Sequence, residues 1–481
     1  MVTESEHTGQ IHGWAGDFPT ADHTVWRQLA DKALRGADFD DTLVRHTPDG
    51  LERGPVFFSA PETSGPVDTA PRDIHRPFAM RQTIVEAQPA EARQAALDDL
   101  MGGVSDLGLV LDPTGATGLK ADTLDDLDAA LEGIDLALAP VHLETLVGQG
   151  HHAHLLLALY ARHRVDGETV TGSLGLDPVG RAARQGVAQA PSCFDKARDI
   201  AQLAQEAFPR LHVFKANGAL VFEAGGSEVQ ELAVTAASLA LYMRHLIGWG
   251  FTPDHAARAI ELHVCVDADI HLGIAKLRAV RRVATQILTA FGVSETARRI
   301  DIHVTTAHRM LSASDPWTNL IRNACAGFAA AAGGADSLSI RPLTDAIGRP
   351  TRFGRRVARN LHILLAEESH VGKVTDPAAG SYLHENLTEQ LAQGAWSCFQ
   401  AIEAEGGLAA AYDAGTVQAE IVQARTARLA RIRNGDEAIL GVTQYPDPDP
   451  RAVETVGRWP DMPDSDLSPI RFAAEFEGEA Q

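Results

Sequence analysis

Short apolar runs alternate with helical hydrophobic patterns through most of the chain. The runs are closed by turn or polar residues and predict strands at 106–111, 134–141, 170–176, 211–216, 260–266, 300–305, 337–342 and 373–376. The periodic segments predict helices at 90–101, 144–162, 194–208, 229–247, 270–291, 317–331, 352–367 and 387–405. Strands that alternate with helices of this length are typical of parallel βαβ units. Eight such units over about 300 residues predict an α/β fold, the (β/α)8 TIM barrel.

The stretch 211–225, LHVFKANGALVFEAG, is central to this prediction. It begins as a buried strand and breaks at Asn217 and Gly218, and a helical pattern starts near Ser227. In such barrels the carboxyl ends of the strands carry the chemistry. Here the residues from Gly218 to Phe222 include almost no reactive side chain. The sequence therefore predicts a site position that lacks catalytic groups.

The pattern divides the chain into three predicted segments. Residues 1–75 form an extended N-terminal arm, with a short helix at 24–34 and a loop rich in Pro and Gly at 47–71 that a strand at 55–59 interrupts. This composition predicts a segment that lies across the surface of another protein. Residues 76–406 form the barrel, and residues 407–481 form a tail with an exposed helix at 416–433 and extended polar segments.

Composition and charge narrow the functional classes. The chain has 42 Lys and Arg against 64 Asp and Glu, a net charge of −22, which disfavours nucleic acid and anionic membranes as partners. We find no targeting segment at the N-terminus and no apolar stretch long enough to span a bilayer. The four cysteines form no C-x-x-C pair and predict free thiols. Together these features predict a cytoplasmic protein.

Histidines supply one candidate for chemistry. His212, His263 and His303 occupy similar places in three predicted strands, and imidazoles from several strands can form a metal site, so a metal-dependent barrel hydrolase is a remote alternative. Catalytic ligands belong near the carboxyl ends of strands, however, and His212 lies near the beginning of its strand. We therefore interpret the three as interior histidines and expect no metal. The run His151, His152 and His154 is interpreted as a solvated helix start.

Five arginines stand close together in an otherwise acidic chain: Arg349, Arg352, Arg355, Arg356 and Arg359. Arginine binds phosphate and carboxylate in a bidentate manner. The cluster could be a solvated helix face, a surface for an acidic partner, or a site for the phosphates of a nucleotide-like ligand. The sequence leaves these three interpretations open.

Several stretches together resemble the barrel subunits of the methylmalonyl-CoA mutase family. They are Phe18-Pro19 with Trp26, RPFAMRQ at 76–82, Asn217-Gly218 with EAG at 223–225, IAKLRA at 274–279, DPW at 315–317 with GGAD at 333–336, Arg355 with ARN at 358–360, DPAAGSY at 376–382, and Arg433 with Gly435, Ile439 and GV at 441–442. They occur in order over residues 18–475. The chain looks like the smaller of the two related subunits of bacterial heterodimeric mutases.

The resemblance implies a radical isomerase complex. Catalytic members use adenosylcobalamin to move a carbonyl-CoA group, inside a barrel that excludes water. Three of their catalytic positions differ here: Thr83 stands in place of a tyrosine, Gly175 in place of a glutamine and Leu220 in place of a histidine. A leucine cannot donate the hydrogen bond that polarises a thioester carbonyl.

Cobalamin binding by this chain is likewise not expected. Asp269, His271 and Gly273 nearly match the cobalt-ligand motif D-x-H-x-x-G, but the glycine comes one position early and the stretch opens a helix. The chain also stops before the cobalamin-binding domain with which family members usually continue. We therefore expect the partner subunit to hold the cofactor.

The sequence thus predicts a small, catalytically silent subunit that pairs with a catalytic mutase subunit, which binds the acyl-CoA, and stabilises it. The alternative is an active barrel subunit of a split acyl-CoA mutase that takes cobalamin from a separate subunit. In that case the polar groups for substrate at the barrel mouth would be Asp112, Ser173, Asp177, Asn217, Glu223 and Asp267.

Overall fold

The structure, a computed structural model, describes residues 22–67, 72–144, 148–188, 192–460 and 465–478 of the 481. Its contacts divide the chain into two units, Met1–Ser59 and Ala60–Gln481. The predicted boundaries at residues 75 and 406 stay predictions. Phe18 and Pro19, which contributed to the family resemblance, lie outside the described residues.

In its described part, residues 22–59, the first unit contains two helices and one small ladder. Helix α1 spans His23–Leu34, helix α2 spans Phe39–Leu43, and Arg45–His46 pairs antiparallel with Glu52–Arg53. The carboxylate of Asp22 caps α1 by accepting from the Val25 amide. The predicted strand at 55–59 is wrong, because those residues form no ladder.

The second unit is built around a closed barrel of eight parallel strands. They are β1 (Ala79–Ile84), β2 (Asp106–Leu109), β3 (Val141–Leu143), β4 (Gly172–Leu176), β5 (Leu211–Asn217), β6 (Ile260–Val266), β7 (Ile302–Thr306) and β8 (Ser337–Ser339). Each strand pairs with the next, and β8 pairs with β1 through Ser337 and Ala79. The predicted (β/α)8 barrel is therefore confirmed.

One strand of the barrel was assigned to the wrong part of the chain. The predicted strand at 373–376 is not a strand, since Val371–Lys373 forms a 3-10 turn and residues 374–376 form no ladder. The strand that closes the barrel is β1, whose sequence AMRQTI breaks the apolar pattern with Arg81 and Gln82. Both polar side chains are buried, so interior polar groups concealed this strand. The third strand begins at Val141, after Pro140, and not at 134.

Helices surround the barrel. They are α3 (Pro89–Met101), α4 (Leu124–Leu131), α5 (Gln149–Arg162), α6 (Pro178–Arg184), α7 (Ser192–Ala207), α8 (Ala219–Glu223), α9 (Glu228–Gly248), α10 (Pro253–Arg258), α11 (Ile270–Ala290), α12 (Thr318–Gly333), α13 (Arg352–Ile363), α14 (Tyr382–Ala404), α15 (Leu408–Ala414) and α16 (Thr416–Asn434). Each helix predicted for this region is present with bounds within five residues of the prediction, whereas α4, α6, α8, α10 and α15 were not predicted. A π-helical turn, Leu364–Glu368, continues α13. Among the described helices, none is both long and apolar enough to cross a membrane.

The core lies between the barrel and its helices. Helices α9 and α11 are buried along most of their length, and α14 packs outside both. The C-terminal helix α16 closes a smaller cluster in which Ile432 packs with Val442, Phe472 and Phe476. The tail after α16 is thereby anchored to the barrel unit by apolar burial.

Candidate functional site

The stretch 211–225 forms the strand, break and helix expected from its sequence. Strand β5 ends at Asn217, the Gly218 amide donates to the carbonyl of His263 on β6, and the short helix α8 follows. Gly218 has an ordinary negative φ, but a Cβ there would approach Glu231 and Thr235 of α9 closer than 3.0 Å. Glycine is therefore required by the close approach of α9 rather than by the turn itself.

Two adjoining cavities lie at the carboxyl ends of the strands. The smaller has a volume of ≈ 150 Å³, and Gly175, Asp177, Asn217, Leu220 and Glu223 are among the residues that line it. The larger has a volume of ≈ 370 Å³, and its lining includes Thr83 and residues from the C-terminal tail. Glu144, His263, Arg341 and Pro469 line both cavities.

A network of buried ion pairs crosses the barrel interior below these cavities. Arg81 of β1 contacts Glu261 of β6 at 2.5 Å, although β7 and β8 separate the two strands. Arg81 also contacts Glu144 at 3.4 Å, and Lys215 of β5 contacts Glu144 at 2.5 Å. Burial by itself would raise the pKa of Glu261, but the charge of Arg81 outweighs it and holds the pKa well below its usual range.

Two of the three candidate histidines meet in this interior. The rings of His263 and His303 stack with centroids 4.9 Å apart, and they bind the hydroxyls of Thr305 at 3.0 Å and Ser337 at 2.8 Å respectively. Burial, reinforced by the charge of Lys215, lowers the pKa of His263 to about 4. Both rings therefore have hydroxyl partners inside the barrel, as expected of interior histidines.

The third histidine belongs to a different environment. His212 contacts the carboxylate of Asp301 at 3.1 Å and the carbonyl of Arg258 at 2.8 Å. Burial would lower its pKa, but the bonded carboxylate of Asp301 outweighs it and raises the pKa to about 9. The part of the chain that the structure describes contains no group of three or more His, Cys, Asp or Glu suited to a metal ion. The hydrolase alternative therefore has no metal site among these residues.

The structure brings three of the six candidate substrate residues together. Asp177, Asn217 and Glu223 line the smaller cavity. Asp177 accepts hydrogen bonds from the Tyr242 hydroxyl at 2.6 Å, the Gly180 amide at 3.0 Å and the Asn217 amide group at 3.2 Å. Burial raises the pKa of Asp177 despite these donors. Asp177 therefore organises the mouth of β4 and is already well supplied with protein partners.

Glu223 is bound from three sides. Its carboxylate accepts from the guanidinium of Arg341 at 3.0 Å and from the backbone amides of His308 at 2.9 Å and Arg309 at 3.1 Å. Arg341 also contacts Asp345 at 3.0 Å. Burial would raise the pKa of Glu223, but these positive and hydrogen-bonding neighbours hold it low. The carboxylate is thus held ionised in a rigid structural network.

The other three candidate substrate residues do not line the cavities. Asp112 binds the amides and hydroxyls of Thr114 and Thr117 in its own loop, and these bonds outweigh burial and lower its pKa to about 2. The Ser173 hydroxyl accepts from the Gly175 amide at 3.2 Å. Asp267 forms a buried ion pair with Arg309 at 2.9 Å.

The three positions at which the family resemblance implies a lost catalytic group all line these cavities. Thr83 lines the larger cavity, whereas Gly175 and Leu220 line the smaller one. The backbone at Gly175 has φ +63, and a Cβ there would lie closer than 3.0 Å to the carbonyl oxygen of Leu143. The pairing of β4 with β5 shifts register across this position, between Ser173 and Leu176. Any side chain at 175 would therefore require β3 or β4 to move.

Most of the arginine cluster is used within the chain. Arg352 contacts Asp98 at 3.0 Å, and both Arg355 and Arg359 bind Asp99, so three arginines tie α13 to α3. Arg349 lies in a two-residue ladder, Arg349–Pro350, that pairs with Thr455–Gly457, and Arg356 is exposed.

The two other histidine-containing motifs are also used by the fold. Asp269 caps α11 through the Leu272 amide, and Gly273 lets α11 approach Ala329 of α12. His271 contacts His384 of α14 at 3.2 Å. His151, in the first turn of α5, binds the carbonyl of Asp122 at 2.9 Å.

The charged residues at the centre of the site were not identified from the sequence. They are Arg81, Glu144, Lys215, Glu261, His308, Arg341 and Asp345. A usable signal was present, since Lys215 and Glu261 interrupt apolar strands, Glu144 follows its strand directly and Arg341 follows its strand after one residue. Charged residues inside a strand buried on both faces need a partner across the barrel.

Comparison with known proteins gives a consistent result. The family model of methylmalonyl-CoA mutase matches residues 73–459. The methylmalonyl-CoA mutase small subunit of Streptomyces virginiae is 34% identical over 457 residues, which cover 92% of this chain and 73% of that protein. The small subunit of Propionibacterium freudenreichii subsp. shermanii is 33% identical over 465 residues, 92% of this chain and 71% of the relative. The mitochondrial methylmalonyl-CoA mutase of Mus musculus is 28% identical over 459 residues, 88% and 61% respectively.

Proposed function

This chain belongs to the methylmalonyl-CoA mutase family, and we propose that it is a catalytically silent small subunit within it. In this role a catalytic partner subunit binds the acyl-CoA and adenosylcobalamin and isomerises methylmalonyl-CoA and succinyl-CoA. The chain described here stabilises that partner by association. Relatives that bear the name small subunit support the heterodimeric arrangement.

The observation that carries the proposal is the backbone at Gly175. Its left-handed φ and the contact with Leu143 leave no space for the glutamine side chain that the family pattern places there. The loss of the glutamine therefore involves the backbone path of β4 as well as the side chain. A single substitution at position 175 cannot restore the glutamine to its place. Thr83 and Leu220 remove the two other expected groups from the same mouth.

Two of the charged donors that line the mouth, Lys215 and Arg341, are already bound in ion pairs. Lys215 pairs with Glu144, and Arg341 pairs with Glu223 and Asp345. Polarisation of a thioester carbonyl requires a donor aimed at the developing oxyanion. A donor that is engaged in a buried ion pair must first break that pair, which costs several kcal/mol in a low-dielectric interior, on the order of 3–5.

The residues that come nearest to a cobalt-ligand pattern do not fit adenosylcobalamin. His271 lies in the first turn of α11 and contacts His384, Asp269 is used as a helix cap, and Gly273 is packed against Ala329. A histidine fixed on a helix in this way does not form the extended loop ligand of the motif. We therefore assign the cofactor to the partner.

The N-terminal arm supports association with a partner. Helix α1 has no buried residue, and the apolar side chains of Val25 and Leu29 are exposed one helical turn apart. An apolar stripe on a helix is stable when another surface covers it. We propose that the arm, residues 1–75, binds the catalytic subunit through this stripe.

The proposal is tested with the purified chain, alone and mixed with a catalytic mutase subunit. We expect no methylmalonyl-CoA turnover by the chain alone with adenosylcobalamin, and a stable heterodimer with a raised melting temperature in the mixture. Turnover by the isolated chain would overturn the proposal.

A second candidate, the active barrel subunit of a split mutase, rests on the meeting of Asp177, Asn217 and Glu223 in one cavity. Calorimetric titration of the isolated chain with methylmalonyl-CoA and with other acyl-CoA thioesters decides between the two. Tight binding favours the split mutase, and absence of binding favours the silent subunit.

A further inference from the structure

Two neighbouring outer helices expose an unusual amount of apolar side chain. On α12, Ile321 is 63% exposed and Phe328 is 38% exposed, with the half-buried Cys325 between them. On α13 and the turn that follows it, Phe353 is 48% exposed and Leu364 is 43% exposed. Single exposed apolar side chains are ordinary on protein surfaces, but a contiguous set marks a binding surface.

These side chains form two stripes in register. Ile321, Cys325 and Phe328 recur at the spacing of one helix face. The rings of Trp317, just before α12, and Phe353 lie 6.4 Å apart, so the two helices begin side by side. Leu364 lies eleven residues after Phe353, and Phe328 lies eleven residues after Trp317. The outer helices of such a barrel run parallel, so the two pairs are at matching heights. The stripes therefore form one continuous surface, here called the α12–α13 face.

The α12–α13 face carries opposite charges at its two ends. Arg356 is exposed at the N-terminal end, and Glu368 is exposed at the C-terminal end, beyond Leu364. Arg356, Asn360, Leu364 and Glu368 recur every four residues and so continue one stripe through the π-helical turn. Neither Arg356 nor Glu368 pairs with an opposite charge among the described residues.

We propose that the α12–α13 face binds the same face of a second copy of this chain about a two-fold axis. A two-fold interface must be self-complementary, because each patch contacts itself. Antiparallel packing of two copies places Arg356 of one chain opposite Glu368 of the other, twice, with the apolar stripes between. The axis passes between Asn360 and Leu364.

The area of the α12–α13 face sets the expected affinity of the dimer. Two adjacent helices that contribute about four turns each present a footprint of roughly 400 Å². Stable complexes bury about 800 Å² on each partner. We therefore expect a dimer that dissociates at micromolar concentration and that weakens as salt screens the charged ends.

The test uses the full-length chain alone and a charge exchange. Sedimentation equilibrium over roughly 1–100 µM should show a monomer–dimer equilibrium for the wild type. Arg356→Glu and Glu368→Arg should each weaken dimerisation about tenfold or more, because each places like charges opposite one another. The double variant R356E/E368R should recover most of the wild-type affinity.

Recovery of dimerisation in the double variant R356E/E368R can come only from pairing between two chains. Residues 356 and 368 are about 18 Å apart along the helical stretch, so they cannot pair within one chain. Phe328→Glu should abolish the dimer, whereas Leu203→Glu, at an equally exposed apolar position of α7, should not. Unchanged melting temperatures show that all variants fold.

Three results would overturn the inference. They are a monomeric wild type throughout the concentration range, a double variant as weak as the single variants, or loss of a catalytic subunit's binding on Phe328→Glu without any self-association. The last result would assign the face to the catalytic partner. A chain that dimerises as described but binds no catalytic subunit contradicts the proposed function and leaves this inference intact.

Discussion

A side chain at Gly175 would run into the backbone carbonyl oxygen of Leu143 on the neighbouring strand. A Cβ at that position would lie closer than 3.0 Å to the oxygen, and the backbone φ of +63 already disfavours any side chain. A glutamine at position 175, which the resemblance to the catalytic members would place there, is therefore incompatible with the path of β4. This relationship makes the proposed silence of the barrel testable.

We expect Gly175→Gln to unfold the protein more readily and to restore no activity. The left-handed backbone costs about 1–2 kcal/mol for a non-glycine residue, and the contact with Leu143 adds strain of similar or larger size. Urea unfolding measures the change. Gly186→Ala is the matched control, because Gly186 has φ +64 and nothing within 4 Å of its Cβ position, so it should lose only about 1 kcal/mol. Equal losses for the two variants would show that the contact with Leu143 is unimportant.

Removal of one partner of the ion pair across the barrel should cost more stability than removal of both. Arg81→Met leaves Glu261 buried without its 2.5 Å partner and should cost about 3–5 kcal/mol. The double variant R81M/E261M should cost less than the sum of the two single variants. Arg93→Ala, which breaks an exposed pair with Glu132, should cost less than about 1 kcal/mol. Additivity of R81M and E261M in chemical denaturation would contradict the coupling.

Stability should fall as the solution becomes acidic. Burial holds the pKa of His263 and of His362 at about 4, below the value of about 6.5 for an unfolded histidine. The unfolded state therefore binds more protons between about pH 6.5 and 4, and each histidine destabilises the fold by up to roughly 3 kcal/mol as the pH falls through that window. Unfolding by urea at a series of pH values measures the slope. His263→Gln should make the slope shallower, and an unchanged slope would exclude His263 as a contributor.

Above neutral pH, stability should fall as the pH rises. The carboxylate of Asp301 outweighs burial and raises the pKa of His212 to about 9. The ion pair with Asp301 is fully present below about pH 6.5 and is lost as the pH rises towards 9, because the folded state holds the proton that the unfolded state has released. His212→Gln should remove this alkaline loss of stability in the same titration. A wild-type curve that is flat between pH 6.5 and 9 would contradict the assignment.

A charge on the exposed stripe of α1 should weaken the heterodimer. Leu29 is 61% exposed, so Leu29→Glu should leave the melting temperature of the isolated chain unchanged. Binding to a catalytic subunit, measured by titration, should weaken about tenfold or more if the stripe lies in the interface. Gln28→Glu adds the same charge at a neighbouring exposed position and should have little effect. Equal effects of the two variants would indicate a non-specific charge effect.

The sequence identified most elements of the barrel and failed at one. Helices α9 and α11 and strands β5 and β6 were placed within one or two residues, since apolar residues dominate all four despite Lys215 and Glu261 in the strands. Strand β1 was missed because Arg81 and Gln82 are buried polar residues that mimic an exposed segment. A polar residue that faces the centre of a barrel cannot be distinguished locally from one that faces solvent.

The candidate site shows the same division. Thr83, Gly175 and Leu220 could be singled out through the family resemblance, because a matched position with a different residue is read from the sequence alone. The pairing of Arg81 with Glu261 could not, because it joins residues that are distant in the chain and on strands that are not neighbours.

The sequence by itself determined the alternation of strands and helices, the break after Asn217, the absence of a side chain at 175 and the family of the chain. These properties are local, or they follow from the order of motifs. The tertiary structure alone decided which segment closes the barrel and how the buried charges are paired. It also showed that the backbone leaves no space for a side chain at position 175. The physical reason is that a closed sheet sets pairing and interior contacts between residues far apart in the chain, where no short-range pattern records them.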